Sequence, residues 1–167
     1  IKELLSSNMK NFTFLKGNLN SKEVIKKITK FEPSVIIHLA AQAGVRHSID
    51  QPHDYVKNNI TATLNLFEMS KSLPNFKHLI YASTSSVYGL NETYPLSEDQ
   101  TVCHPMQFYA VTKTTTELMA HSYASLFGIP STGLRFFTVY GPWGRPDMAL
   151  FKFTKNIIQE KSIYVYG

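Results

Sequence analysis

Hydrophobic and polar positions along this chain follow two alternating rhythms. Short apolar, β-branched runs at Phe12–Leu15, Val35–Leu39, His78–Ala82, Thr132–Thr138 and Ile163–Tyr166 read as strands. Stretches of helical period separate most of them. Ser21–Phe31 is one, with Ser21 placed to cap it. Tyr55–Leu73 carries apolar residues at 56, 60, 64, 66, 67 and 69 and stops before Pro74. Phe108–Phe127 is closed by Gly128 and Pro130, and Leu150–Gln159 is the last helix. The strands lack polar alternation, which predicts an α/β fold with a parallel sheet covered on both faces. Ligands of such sheets sit beyond the carboxyl ends of the strands.

Composition narrows the picture. With 43% hydrophobic and 17% charged residues, the 167-residue chain forms a core and is neither a disordered tail nor a fibre. No apolar run approaches the roughly 18 residues of a membrane span. The single cysteine, Cys103, allows no internal disulfide, reads as a loop thiol and makes a reducing, cytoplasmic setting the expectation. The chain opens on Ile1 without a signal-like segment. The net charge of +5 is scattered, and its richest cluster, Lys22, Lys26, Lys27 and Lys30, reads as the solvated face of one helix. No nucleic-acid module, metal-binding cluster or membrane segment is recognisable, and the diffuse positive field suits anionic ligands in general, nucleotides included, without choosing among them.

Three strand ends carry candidate chemistry. Leu39–Gly44 (LAAQAG) is built of small residues that let backbone approach a ligand, or that pack helix on strand. Ala82–Gly89 (ASTSSVYG) offers four consecutive hydroxyls, which can bind a polar ligand or satisfy a turn. Tyr109 and Lys113 stand four apart near a helix start and so share one face. An ammonium beside a phenol favours the phenolate, pulling a tyrosine below its usual pKa of about 10 and fitting it for general-base work. His38, inside a strand, reads as a satisfied core histidine.

These segments together, HLAA at 38–41, STSSVYG at 83–89, YAVTK at 109–113 and LRFFTVYGPWGRPDMA at 134–149, resemble the extended short-chain dehydrogenase/reductase family. Within it the chain is most similar to the nucleotide-sugar 4-epimerases that act on UDP-glucuronate in polysaccharide biosynthesis, from about Phe12 to Gly167. The resemblance implies a Rossmann-like doubly wound sheet, NAD as cofactor, a UDP-sugar as substrate and a homodimeric parent. It implies Tyr109 as catalytic base, Lys113 as its electrostatic partner on the nicotinamide ribose, and Thr84 as the hydroxyl bonding the sugar O4. Ser85 and Ser86 would be secondary sugar contacts. Leu39, Ala40 and Ala41 would line the cofactor, with Asn58 reaching the strand-end loop. Asn18, where the family usually has Asp, and Leu19 would contact adenine. Phe137 and Thr138 would lie between nicotinamide and sugar.

Sister activities are separable on the same positions. Family dehydratases carry an Asp-Glu pair after the catalytic Thr, where this chain has Ser85 and Ser86. Related decarboxylases usually carry Glu at Ser86, so epimerisation at C4 is the better reading. Arg145, between Gly144 and Pro146, is a planar donor suited to a carboxylate or a phosphate, or an ordinary surface-loop arginine; the resemblance implies that it holds the sugar carboxylate. Tyr166 either stacks on uracil or is an ordinary strand aromatic.

The eight glycines include no G-x-G-x-x-G or G-x-x-G-x-x-G spacing, the turn that meets a dinucleotide pyrophosphate. The resemblance therefore implies an incomplete sheet whose first βαβ unit is absent. Residues 1–140 would be a partial NAD-binding domain, and 141–167 the start of a substrate-binding region. Such a piece is expected to be an internal, inactive fragment of the enzyme. A non-catalytic binding module and another nucleotide-sugar epimerase or dehydratase are the alternatives.

Overall fold

The computed structural model describes residues 11–45 and 47–165, in two compact units, Ile1–Arg135 and Phe136–Gly167. The first unit begins with helix α1 (Lys22–Phe31). Its four lysines are exposed, while Ile25 and Ile28 pack against the core, as the amphipathic spacing requires. Ser21 occupies the N-cap with extended backbone and its carbonyl accepts from Ile25 N at 3.0 Å, but its side chain makes no cap bond. Strand β1 (Val35–His38) pairs in parallel with β2 (His78–Thr84), from Val35 opposite His78 to His38 opposite Tyr81. Strand β3 (Ser131–Phe136) lies on the far side of β2.

The stretch read as one helix from Tyr55 to Leu73 is three pieces. After the short helix α2 (His47–Asp50) comes α3 (Pro52–Tyr55), then a π-helical turn over Val56–Thr61, then α4 (Ala62–Ser70). The wider π turn shifts the helical phase, a change that a 3.6-residue period cannot reveal. Helix α5 (Phe108–Phe127) has the expected bounds and ends on Gly128 at φ 64°, a left-handed cap. Leu66, Phe67, Met69 and Leu73 from α4 and its exit meet Leu79 and Tyr81 of β2, Ala120 of α5 and Ile129 to form the core. Phe67 and Leu79 are wholly buried, each worth about 1.5–3 kcal/mol relative to exposure.

Three strand expectations need correction. Phe12–Leu15 forms no strand: no ladder partner lies beside it among the described residues, and its apolar side chains are exposed. Residues 163–165 likewise form no strand, with Tyr164 and Val165 exposed, and Tyr166 lies outside the described residues. The sheet is not covered on both faces, since Val35, Ile37 and most of β3 are exposed. In the second unit, helix α6 (Ala149–Ile158) is the regular element among the described residues. No helix there or elsewhere among them is long and apolar enough to cross a membrane.

Candidate active site

Helix α5 and the end of β2 build the centre of the site. Lys113, one turn beyond Tyr109, is only 6% exposed and its Nζ donates to the Ala82 carbonyl at 2.6 Å. Burial pulls its pKa down to about 8. That bond draws the helix bearing Tyr109 and Lys113 onto the strand end that carries the hydroxyl run. Ala82 is followed by Ser83, buried, and then Thr84, also buried. Thr84 Oγ1 accepts from Ser86 N at 3.2 Å and lies 3.3 Å from Ser86 Oγ, capping a 3₁₀ turn over Ser85–Tyr88. Gly89 ends that turn at φ 57°, where a Cβ would lie 1.9 Å from the His104 carbonyl oxygen. Ser85 and Ser86 are half-buried in the same turn.

The start of α5 is moored to the loop after β1. Tyr109 N donates to Ser48 Oγ at 3.2 Å, satisfying one of the orphan amides of the first turn. Ser48, wholly buried, donates in turn to the Val45 carbonyl at 2.6 Å. The Tyr109 ring stands edge-on to Tyr55, centroids 6.2 Å apart at 79°, and the Tyr55 hydroxyl donates to the Gly44 carbonyl at 2.5 Å. The Tyr109 carbonyl accepts from the Thr112 hydroxyl at 2.8 Å.

Beneath these residues runs a buried polar chain. His38 Nε2 is 3.0 Å from Thr63 Oγ1, and the Thr63 hydroxyl donates to the Asn59 carbonyl. Having given its one proton away, that hydroxyl takes the Nε2–H of a neutral His38. Burial first, and the nearby Lys113 charge second, pull the His38 pKa down to about 4. The histidine is thus a satisfied core residue. Asn59, on the π turn and 1% exposed, binds Gln42 at both backbone groups (N at 2.7 Å, O at 3.1 Å) and donates to Thr112 Oγ1 at 3.0 Å. The strand-end loop is therefore clasped by Asn59, a residue the sequence does not single out.

Asn58 lines a cavity of about 280 Å³, together with Gly17, Asn18, Leu19, Ala40, Ala41, Gln42 and Ala62. Five of the residues expected around a cofactor thus share one cavity. Leu39 is 62% exposed and is not in its lining. Four small side chains leave room for a flat ring, and three amide side chains offer donors and acceptors.

Within the second unit, Thr138 and Arg145 line a larger cavity of about 460 Å³ with Tyr140, Met148, Phe151 and Ile158 among its walls. The Arg145 guanidinium is held by Asp147, Nε to Oδ1 at 3.0 Å and Nη2 to Oδ2 at 2.5 Å. This fork-on-fork pairing is the geometry by which arginine takes any carboxylate. Arg145 in turn keeps the Asp147 carboxyl below its usual range. Phe137 is exposed and outside that lining, and Cys103 is an exposed, free thiol. No group of three metal-ligating side chains occurs among the described residues.

Sequence reasoning passed over Ser48, Asn59 and Glu117. Ser48 and Asn59 carried no distinguishing signal, because their roles depend on contacts across 61 and 53 residues of sequence. Glu117 did carry one: it follows Lys113 by four, on the face already chosen by Tyr109.

A family model described as the NAD dependent epimerase/dehydratase family matches residues 2–167. Protein CapI of Staphylococcus aureus is 52% identical over 165 residues, 98% of this chain and 49% of that protein. The probable UDP-glucuronate 4-epimerase of Rhizobium meliloti is 56% identical over 136 residues, 81% and 40% of the respective chains. Among solved structures, UDP-glucuronic acid 4-epimerase from Bacillus cereus, in complex with UDP-glucuronic acid and NAD, superposes with a TM-score of 0.87 at 37% identity, over 99% of this chain and 51% of that one. UDP-N-acetylglucosamine 4-epimerase from Methanobrevibacter ruminantium gives a TM-score of 0.87 at 34% identity, over 96% and 52%. The chain spans about half the length of these relatives.

Proposed function

Starting from a chain that belongs to the NAD dependent epimerase/dehydratase family, we propose that the full-length protein epimerises a UDP-sugar at C4, with UDP-glucuronate and UDP-galacturonate as the interconverting pair. The observation that carries the reading is the bond from Lys113 Nζ to the Ala82 carbonyl, which ties a Tyr-x-x-x-Lys helix to a strand end rich in hydroxyls. A purely structural helix has no need to bury an ammonium there.

Tyr109 is the base that takes the proton of the sugar 4-hydroxyl and later gives it back. With a pKa near 8, Lys113 is largely an ammonium at neutral pH, and its charge favours the phenolate of Tyr109. The Thr84 hydroxyl hydrogen-bonds the sugar O4, while Ser85 and Ser86 contact the ring. Neither serine can supply the additional acid and base that loss of water would demand, which favours epimerisation over dehydration. NAD, when bound, would supply the hydride acceptor and donor for C4, whose trigonal carbonyl carbon in the 4-keto sugar is open to return from the opposite face. Asn18, Leu19, Ala40, Ala41 and Asn58, which share the 280 Å³ cavity, would hold its adenosine end, with Leu39 at the mouth of the strand. Lys113 and Phe137 would hold the nicotinamide end, and Thr138 would meet the sugar.

The preference for a uronate rests on Arg145. Its guanidinium already grips a carboxylate in bidentate fashion, and an exposed pair with Asp147 is held weakly enough to be exchanged for a substrate carboxylate. Such a grip also restrains loss of CO₂ from a β-keto acid. The test uses the full-length protein and a panel of UDP-glucuronate, UDP-galacturonate, UDP-glucose and UDP-N-acetylglucosamine. Turnover of the uronates, and a loss of at least about 100-fold in Tyr109→Phe, are expected. Normal turnover by the Phe variant would refute the mechanism, and turnover confined to neutral sugars would refute the substrate.

A further inference from the structure

We infer that Glu117 is a positioning residue for the reaction, acting with Ser83 and Arg135 to fix the catalytic helix in register on β2. The inference rests on the reading of Tyr109, Lys113 and Thr84 given above. Three consecutive residues of the strand end have separate tasks. The Ala82 carbonyl accepts from Lys113, the Ser83 hydroxyl donates to Glu117 Oε1 at 2.5 Å, and Thr84 caps the turn that follows. Lys113 and Glu117 are four apart on α5, so the strand grips one face of the helix at two points a turn apart. One contact fixes a distance; two fix both the height of the helix along the strand and its rotation.

Glu117 is itself held from the opposite side. Arg135 of β3 donates from Nε to Oε1 at 3.0 Å and from Nη2 to Oε2 at 2.8 Å. Its Nη1 reaches the Glu98 carbonyl at 3.2 Å, and its guanidinium carbon lies 4.9 Å from the centre of the Tyr88 ring. The pairing raises the Arg135 pKa further above its already high value, so the guanidinium stays charged. One carboxylate therefore joins β2, β3, α5 and the loop after Gly89. Ser83 and Glu117 spend their polar atoms on one another and on Arg135. A slip of α5 along β2 would carry Tyr109 and Lys113 together away from Thr84. Misplacements of about 1 Å between reacting groups can cost on the order of 100-fold in rate.

The experiment measures kcat, KM and thermal unfolding of the full-length protein with UDP-glucuronate, with Tyr109→Phe as the control for the site itself. Ser83→Ala, which leaves the Glu117–Arg135 pair intact, is expected to lower kcat about tenfold with KM within about twofold. Glu117→Gln is expected to lose more, and Ser83→Thr, which keeps the hydroxyl, to recover most of the rate. If Glu117→Gln does not fold, the two serine variants decide the matter. A kcat within about twofold of the unaltered protein in Ser83→Ala, or a loss confined to KM, overturns the inference. A fully active Tyr109→Phe overturns the reading of the site instead, whatever the serine variants do.

Discussion

Replacing Asn59 by alanine removes three hydrogen bonds at once, two to the backbone of Gln42 and one to Thr112. Asn59 and Thr112 are essentially inaccessible to water, whereas Gln42 is half-buried and can recruit solvent. At about 1 kcal/mol net per bond, with the Thr112 contact at the upper end, the loss comes to roughly 3 kcal/mol. For a urea dependence of about 3 kcal/mol/M, that moves the unfolding midpoint down by roughly 1 M. The measurement is equilibrium urea unfolding of the full-length protein, followed by circular dichroism. Asn58→Ala is the control, because the adjacent amide lines the cavity and its loss should change stability by less than about 0.5 kcal/mol. On the proposed function Asn58→Ala weakens NAD binding instead. An Asn59→Ala midpoint within about 0.2 M of the unaltered protein would refute the clasp as a stabilising element.

Lys113 carries a pH signature. Between about pH 8, its folded pKa, and 10.5, its ordinary value, the unfolded chain holds a proton that the folded chain has released, so this group's contribution makes stability rise with pH. The full span is about 3 kcal/mol, and urea unfolding between pH 7.5 and 10.5 should lose that component of the slope in Lys113→Met; an unchanged slope would contradict the burial argument. Gly89→Ala should be among the most damaging single changes in the chain, costing several kcal/mol (about 3 or more), because the new Cβ meets the His104 carbonyl as well as an unfavourable φ. Gly128→Ala, also at positive φ but facing open space, should cost only about 1–2 kcal/mol, and thermal unfolding of the two variants side by side checks the difference.

The regular elements that bury one face were legible from spacing alone. Helix α5 has the bounds its apolar period and Gly128 dictate, and β1 and β2 emerge where β-branched residues cluster. Phe12–Leu15 and residues 163–165 have the same composition yet form no strand, because a strand is completed by a neighbour and not by its own residues. In the candidate site, Tyr109 and Lys113 were visible as a local motif of residue type and short spacing, while Thr84 was one of a run of hydroxyls that the family resemblance singled out. Ser48 and Asn59 act between segments far apart in sequence, so no short window along the chain contains both partners, whereas Glu117 was marked by its spacing from Lys113. Asn59, beside Asn58, shows the limit most clearly. Two adjacent amides are indistinguishable in a sequence, and only the winding of the turn that carries them decides which one points inward.

That turn also sets a rule for insertions and deletions. A π-helical turn holds one more residue than the α-helical turn it replaces yet completes the same rotation, so the segments on either side keep their facing while the sequence pattern shifts by one position. Removing one residue between Val56 and Thr61 would let the hydrogen bonds relax to the ordinary pattern while leaving everything downstream facing much as before. Leu66, Phe67 and Met69 would keep to the core, and the cost would fall on Asn59, whose bonds to Gln42 and Thr112 depend on its place in the wide turn. Substitutions in the turn can be judged one side chain at a time, and a single-codon deletion there acts on the clasp at Asn59 while α4 keeps its seat on the core.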